Sequence, residues 1–191
     1  MNKIGILGGT FNPVHVGHLA VADYAIEKLG LNKVIFVPSA LPPHKSAKGV
    51  IEAHHRYEML KIAAGENPKF EVCDFEIKQG GKSYSVDTVK YLISQYPAKT
   101  KFYFIIGEDN YAGLAKWRNI DELMALTEFV VVSRPESAPC RSDGKARFLK
   151  MPGLEVSSTY IRKNIAQRTS IRYLIPAEVL QYIKAHKLYL S

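Results

Sequence analysis

Cysteine is nearly absent: Cys73 and Cys140 are the only two in 191 residues, and their spacing suggests neither a metal knot nor a redox pair. A disulfide-built scaffold is excluded, and two free thiols in a reducing compartment are expected. No apolar run approaches the roughly twenty residues that span a bilayer. The first residues read directly as a strand, without the basic and apolar regions of a leader. The expectation is a soluble, cytoplasmic protein with no membrane partner. There is also no dense Lys/Arg run interleaved with aromatics: Lys3, Lys28, Lys61, Lys90, Lys163 and Lys184 fall in different segments. A net charge of +8 then favours anionic partners of a smaller kind, and nucleic acid is not expected.

What is present is an ordinary globular chain. With 47% hydrophobic and 23% charged residues over 191 positions, it can bury a substantial core as one domain, residues 1–191, whose part from about 155 onward reads as a small helical C-terminal subregion. Strand-like runs at 3–7, 33–37, 101–106 and 129–132 alternate with helix-like ones at 17–29, 54–64 and 85–95. An extended stretch is expected over 70–77, short helices near 110–115 and 121–126, and a last helix opened by Pro176. Residues 134–150 read as a polar, proline-containing stretch with no element of their own.

Near-continuous Val/Ile/Phe strands separated by helices predict an α/β fold, a Rossmann-like parallel sheet with helices on both faces. Ligands of such sheets gather beyond the carboxyl ends of the strands. The loops after the strands at 3–7, 33–37, 101–106 and 129–132 hold Gly8 to His18, Pro42 to Lys45, Gly107 to Asp109, and Ser133 with Arg134.

The first loop, Gly8-Gly9-Thr10-Phe11-Asn12-Pro13-Val14-His15-Val16-Gly17-His18, is the richest in chemistry. A short apolar strand runs into two glycines and a threonine, and a His-x-Gly-His element opens an amphipathic helix. Unpaired amides and the helix dipole at such an N-terminus attract phosphate. The loop is neither a GxGxxG nor a P-loop, because no Gly-Lys-Ser/Thr follows. Glycines after a strand are often plain turn residues, and one histidine is often a cap. Two histidines three apart beside a glycine-rich anion site are harder to attribute to packing. Zinc is disfavoured, since the spacing is not HExxH and no Cys, Asp or Glu lies nearby.

These residues resemble the His-x-Gly-His nucleotidyltransferase superfamily, and Val156-Ser157-Ser158-Thr159-Tyr160-Ile161-Arg162 resembles its second signature. Within it, the chain is similar to the bacterial nicotinate-nucleotide adenylyltransferases. Further matching segments are Pro42-Pro43-His44-Lys45, Ser83 to Thr88, Ile105 to Asp109, Lys116-Trp117, Val132 to Pro135 and Arg172 to Pro176. They follow the family's order and cover nearly the whole chain. The resemblance implies adenylyl transfer from ATP to nicotinate mononucleotide, giving deamido-NAD and pyrophosphate. It also implies Mg²⁺ held mainly by ATP phosphates and water, with no protein metal ligand that can be named, and it leaves room for a homo-oligomer.

Carried over by position, His15 and His18 would contact the ATP phosphates, His18 at the α-phosphate, with Lys45 adding a point charge. Gly8, Gly9, Thr10 and Phe11 would line the nucleotide, and Gly107 and Asp109 the ribose, Asp109 being equally readable as a helix cap. Arg134 would reach the nucleotide. Ser158, Thr159 and Arg162 would hold the leaving pyrophosphate, a role compatible with simple capping by Ser157 or Ser158. Trp117, between Lys116 and Arg118, would stack on the pyridine, and Ser85 with nearby amides would receive its carboxylate. His54, His55 and Arg56 read as a solvated helix face.

The chain departs from the family pattern at Asn12, where Asp is common, at Ser85, where Thr is commoner, and at Arg168-Thr169, where a glycine is often found. The competing readings are an adenylyltransferase acting on phosphopantetheine and a non-catalytic nucleotide- or RNA-binding module. Neither thiol has a role in any of these. Replacing Cys73 and Cys140 together by Ser is therefore expected to leave turnover within about twofold of wild type, as for substitutions away from any functional feature; inactivation of a folded double variant would show a thiol at work.

Overall fold

The computed structural model describes residues 1–40, 49–133 and 144–190. Six parallel strands, β1 (Lys3–Gly9), β2 (Lys33–Pro38), β3 (Phe70–Val72), β4 (Lys101–Gly107), β5 (Glu128–Ser133) and β6 (Ala146–Lys150), form one sheet in the order β3-β2-β1-β4-β5-β6. This order makes the chain wind outward from β1 in one direction and from β4 in the other. The loops leaving β1 and β4 diverge, and a crevice opens between them at the carboxyl edge.

The strands are apolar on both faces because both are covered. Phe102, Phe104 and Ile106 of β4 face one layer, while Tyr103 and Ile105 face the other. The first layer holds α4 (Ser85–Ser94) and α6 (Ile120–Leu126), through Val86, Val89, Leu92 and Leu123. The second holds α1 (Val16–Leu29) and α2 (Ala53–Ala64), with α7 (Ser158–Ala166) and α8 (Ala177–Ala185) sharing the same core through Ile161, Val179 and Ile183. Helix α1 buries Ala22, Ala25, Ile26 and Leu29, and it stops where Gly30 turns left-handed at φ 62° and its N–H returns to Ile26 O. Among the described residues no helix is long and apolar enough to cross a membrane.

Two segments differ from the sequence expectation. Residues 134–150 carry a strand, β6, which pairs with β5 from Phe129↔Ala146 to Ser133↔Lys150. Its Phe148 and Leu149 pack on opposite faces, while Arg147 and Lys150 give it the polar edge that hid it. Residues 70–77 are not one extended stretch. The strand ends at Val72, and α3 (Phe75–Gln79) follows. β3 is the sheet's other edge; past Cys73, whose N–H still reaches Phe36 O at 2.9 Å, nothing continues the ladder.

Instead Phe75 stacks on Tyr91 of α4, with ring centroids 4.2 Å apart and planes within 11°. Glu76 turns inward, 8% exposed. Its carboxylate accepts from the hydroxyls of Ser83 and Thr88, the latter at 2.8 Å, and so ties down the chain on either side of Ser85. Burial pushes the Glu76 carboxyl above its ordinary value, outweighing the two hydroxyl bonds that pull it down. The folded protein therefore holds this proton more tightly than the unfolded chain. The contribution to stability is full below the ordinary carboxylate value and is lost as pH rises through the raised one. Glu76→Gln, neutral throughout, is expected to gain stability relative to wild type between pH 4 and pH 8. Thermal unfolding of both proteins at the two pH values checks this, and an unchanged difference would contradict it.

Candidate active site

The loop from Gly8 to His18 leaves the carboxyl end of β1, beside the crevice. Its shape is set by packing against itself. Phe11 is 2% exposed at a left-handed φ of 48°, and its ring lies under Gly9, where an added Cβ would come within 3.0 Å of it. A Cβ on Gly17 would come within 2.8 Å of Val156 Cγ1 and 3.1 Å of the His15 ring. Gly9 and Gly17 are thus required by close approach inside the protein, whereas Gly8 has open space around it.

His15 is the extended residue that caps α1, at φ −147° and ψ 167°. Its N–H donates to Nδ1 of His18 at 3.2 Å, and the two imidazoles stack with centroids 3.6 Å apart. Phe11 meets His18 edge-on at 4.9 Å. Because Nδ1 of His18 accepts a hydrogen bond, the proton of the neutral ring belongs on Nε2. That leaves His18 a donor pointing away from its own backbone, at the positive end of a helix.

A second helix N-terminus meets the loop from the other end of the chain. Ser157 caps α7 by accepting from Tyr160 N–H at 3.2 Å, while the hydroxyl of Ser158 donates to Pro13 O at 2.9 Å. Arg162 Nη1 donates to Asn12 O at 2.8 Å and Nη2 reaches Thr159 Oγ1 at 3.3 Å. Of Ser157 and Ser158, the cap is Ser157, and Ser158 holds the two signatures together. His15, His18, Ser158, Thr159 and Arg162 thus form one group around residues 12 and 13. The start of α1 is further fixed by Val16 N–H donating to Leu174 O at 3.0 Å.

The other expected residues lie over the opposite layer. Gly107, exposed, caps α5 (Glu108–Tyr111), and Asp109 is exposed in that helix's first turn rather than being its cap. Trp117 follows a short 3-10 turn and is half-buried, edge-on to Phe104 at 5.9 Å. The Arg118 guanidinium sits over the Tyr84 ring at 4.4 Å. Tyr84 caps α4, and Ser85 is that helix's first residue. Arg118 thus meets, through its side chain, the residue that precedes Ser85. α4 runs back against the parallel strands, so its N-terminus lies at the carboxyl edge of the sheet. Lys45, with Pro42, Pro43 and His44, lies outside the described residues, as do Arg134 and Cys140.

Three residues support the loop in ways the sequence did not reveal. Arg56 does not belong to a solvated face: it is 1% exposed and donates to Thr10 O, Ala40 O and Ile51 O. The available signal was its place on the stripe Arg56, Met59, Leu60, Ala63 and Ala64, a charge at a core position of α2. Asn12 sits in a buried network. It is 3% exposed, its Nδ2 donates to Gly49 O at 2.9 Å, and its Oδ1 accepts from Ile51 N–H and from the Tyr189 hydroxyl at 2.9 Å. Tyr189, so far along the chain, gave no sequence signal.

The profile of the cytidylyltransferase-like family matches residues 6–164. A protein of Oceanobacillus iheyensis named "Probable nicotinate-nucleotide adenylyltransferase" is 42% identical over 189 residues, covering 99% of this chain and 97% of its own length. A Lactococcus lactis protein of the same name is 42% identical over 187 residues, covering 98% and 95%. Among solved structures, the nicotinic acid mononucleotide adenylyltransferase of Plasmodium falciparum complexed with NaAD superposes with a TM-score of 0.81 over 99% of this chain and 98% of that one, at 22% identity, a likeness of fold. With the His-x-Gly-His loop and the Ser-Ser-Thr helix start joined at residues 12 and 13, the chain belongs to the nicotinate-nucleotide adenylyltransferase family of cytidylyltransferase-like proteins.

Proposed function

We propose that this protein transfers the adenylyl group of ATP to the phosphate of nicotinate mononucleotide, releasing pyrophosphate and forming deamido-NAD. The observation that carries the reading is the convergence of two helix N-termini and a stacked histidine pair on one glycine loop at the sheet's crevice. That arrangement concentrates donors and positive ends of helices on a phosphate-sized space.

The chemistry asks for little else. The attacking group is a phosphate monoester whose second pKa is about 6, so it is largely dianionic at neutral pH. One of its oxygens forms the new P–O bond at the α-phosphorus of ATP, and the bond to the bridging oxygen breaks, the electron pair leaving with pyrophosphate. No proton has to be removed from the nucleophile. The barrier lies in bringing two anions together and in the charge of the transition state, so positioning and preorganised donors do the catalysis. His18 Nε2 donates to the α-phosphate and His15 supports it. Amides of Gly9, Thr10 and Phe11, beside the open backbone of Gly8, line the phosphates. Ser158, Thr159 and Arg162 receive the pyrophosphate, Lys45 and Arg134 add positive charge, and Gly107 with Asp109 meets the ribose.

At the other end, the pyridinium ring of the acceptor is cationic and flat, which suits the face of Trp117. Its carboxylate suits the amides at the start of α4 with Ser85 and the Arg118 guanidinium; a carboxamide would set its own NH₂ against those donors. Mg²⁺ accompanies the ATP phosphates and supplies charge neutralisation there. Among the described residues no three His, Cys, Asp or Glu side chains converge on a metal-sized point.

The test is pyrophosphate release from ATP with nicotinate mononucleotide, its amide or phosphopantetheine as the acceptor. The highest kcat/KM is expected with the first. Turnover with phosphopantetheine alone would reassign the acceptor, and none with any acceptor would leave a nucleotide-binding module. His18→Ala is expected to lower kcat by at least ~100-fold, the scale of one lost preorganised donor, with an unchanged unfolding midpoint. Trp117→Ala is expected to raise KM for nicotinate mononucleotide by roughly 5-fold or more, the scale of one lost cation–ring contact, and to leave KM for ATP within twofold; equal changes in both would exclude stacking.

A further inference from the structure

Arg56 is the largest fully buried side chain of the described residues, and it is a cation. One planar guanidinium joins three separate segments. Nη1 donates to Thr10 O at 2.8 Å, Nη2 to Ala40 O at 2.8 Å and Nε to Ile51 O at 3.2 Å. Among the described residues none of the ion pairs includes it; those pairs lie at the surface. The ionisable group nearest in effect is the Tyr189 phenol, which burial keeps protonated.

A buried charge without a counter-ion is costly, and here three carbonyl hydrogen bonds offset that cost only in part. The three carbonyls account for its hydrogen bonds, and its formal charge is left without an opposite charge among the described residues. Its position supplies a reason. Thr10 O belongs to the glycine loop, and the Thr10–Phe11 peptide is trans, the cis bond among the described residues being Asn12–Pro13. In a trans peptide the carbonyl and the next N–H point in opposite directions. With Thr10 O turned to Arg56, Phe11 N–H points to the far side, where the proposed function places phosphate.

We infer that Arg56 is a positioning residue for adenylyl transfer: through the Thr10–Phe11 peptide it aims an amide at the ATP phosphates, and its unpaired charge finds its counter-ion in the bound polyphosphate. This rests on the phosphates lying over the glycine loop, but not on the identity of the acceptor. A merely structural Arg56 would matter equally for every ligand. A counter-charge matters in proportion to the number of phosphates.

The test compares wild type, Arg56→Gln and Arg56→Lys by calorimetric titration with adenosine, AMP, ATP and inorganic tripolyphosphate, beside kcat. For Arg56→Gln the loss of affinity is expected to grow along the series, under ~2-fold for adenosine and at least ~10-fold for ATP and tripolyphosphate, as for removal of one charge in a low-dielectric setting. Arg56→Lys keeps the charge but cannot hold three carbonyls in one plane. Its tripolyphosphate affinity should stay within ~3-fold of wild type while kcat falls at least ~10-fold, the scale of a misaimed donor. Equal losses for adenosine and ATP, or affinity and kcat of the Lys variant falling together, would overturn the inference. If Arg56→Gln does not fold, the Lys variant decides alone. Wild-type protein that binds tripolyphosphate without adenylylating nicotinate mononucleotide would defeat the proposed function and leave this inference standing; failure to bind tripolyphosphate would defeat the inference itself.

Discussion

Two guanidiniums hold the glycine loop by its carbonyls, and the rest of the site follows from that grip. Arg56 takes Thr10 O from α2, and Arg162 takes Asn12 O from α7. A loop of this kind carries both carbonyls and amides, Pro13 alone lacking an N–H, and in isolation nothing decides which set faces the ligand. Arg56 binds the Thr10 carbonyl and leaves the Phe11 amide for the other side, while Arg162 fixes the Asn12 carbonyl, whose peptide with Pro13 has no N–H. Phe11, folded under Gly9 with its ring against His18, fills the space between. The anion-binding face of the loop is in this sense produced in part from behind, by Arg56, which is buried and need never touch an anion.

The sheet order brings the two halves of the chemistry together. Leu7 of β1 pairs with Ile105 of β4, so the loops after these strands begin side by side and then part toward opposite layers. The loop of β1 joins α1, α2 and α7 on one face, and the loop of β4 leads to Asp109 and Trp117 on the other. A dinucleotide-shaped product has two such ends, and a crevice between diverging loops suits one end on each side. The four short helix starts around it contribute positive ends without formal charges, so opposing phosphates meet dipoles that cost nothing to reorganise.

How much of this was legible in the sequence depended on the range of the interaction. β1, α1 and its glycine stop are local matters of periodicity and turn chemistry, and residues 17–29 were read to within a residue of the observed helix. β6 was missed because it is a five-residue edge strand interrupted by Arg147 and ended by Lys150, and its pairing with β5 is not written locally. α3 was read as strand because Phe75 and Ile77 look extended until Tyr91, Ser83 and Thr88 supply partners. The two histidines, Gly17 and the Ser-Ser-Thr start were visible as motifs. Their supports were not: Asn12 is joined to Gly49, Ile51 and Tyr189, the last of them 177 positions away, and no pattern in a short window encodes such a bond.

Asn12 shows why the departure from the commoner Asp is consistent with the site. Its neighbours are one carbonyl, Gly49 O, and two donors, Ile51 N–H and the Tyr189 hydroxyl. An amide matches that mixture with Nδ2 facing the carbonyl and Oδ1 facing the donors. A carboxylate would match the two donors and oppose the carbonyl, and at 3% exposure water could not relieve the mismatch. It would also partly neutralise Arg56 and Arg162 through the same loop. A neutral side chain at this place satisfies the buried partners and leaves both cations uncompensated by residue 12, so the loop reaches a polyphosphate with its positive charge undiminished.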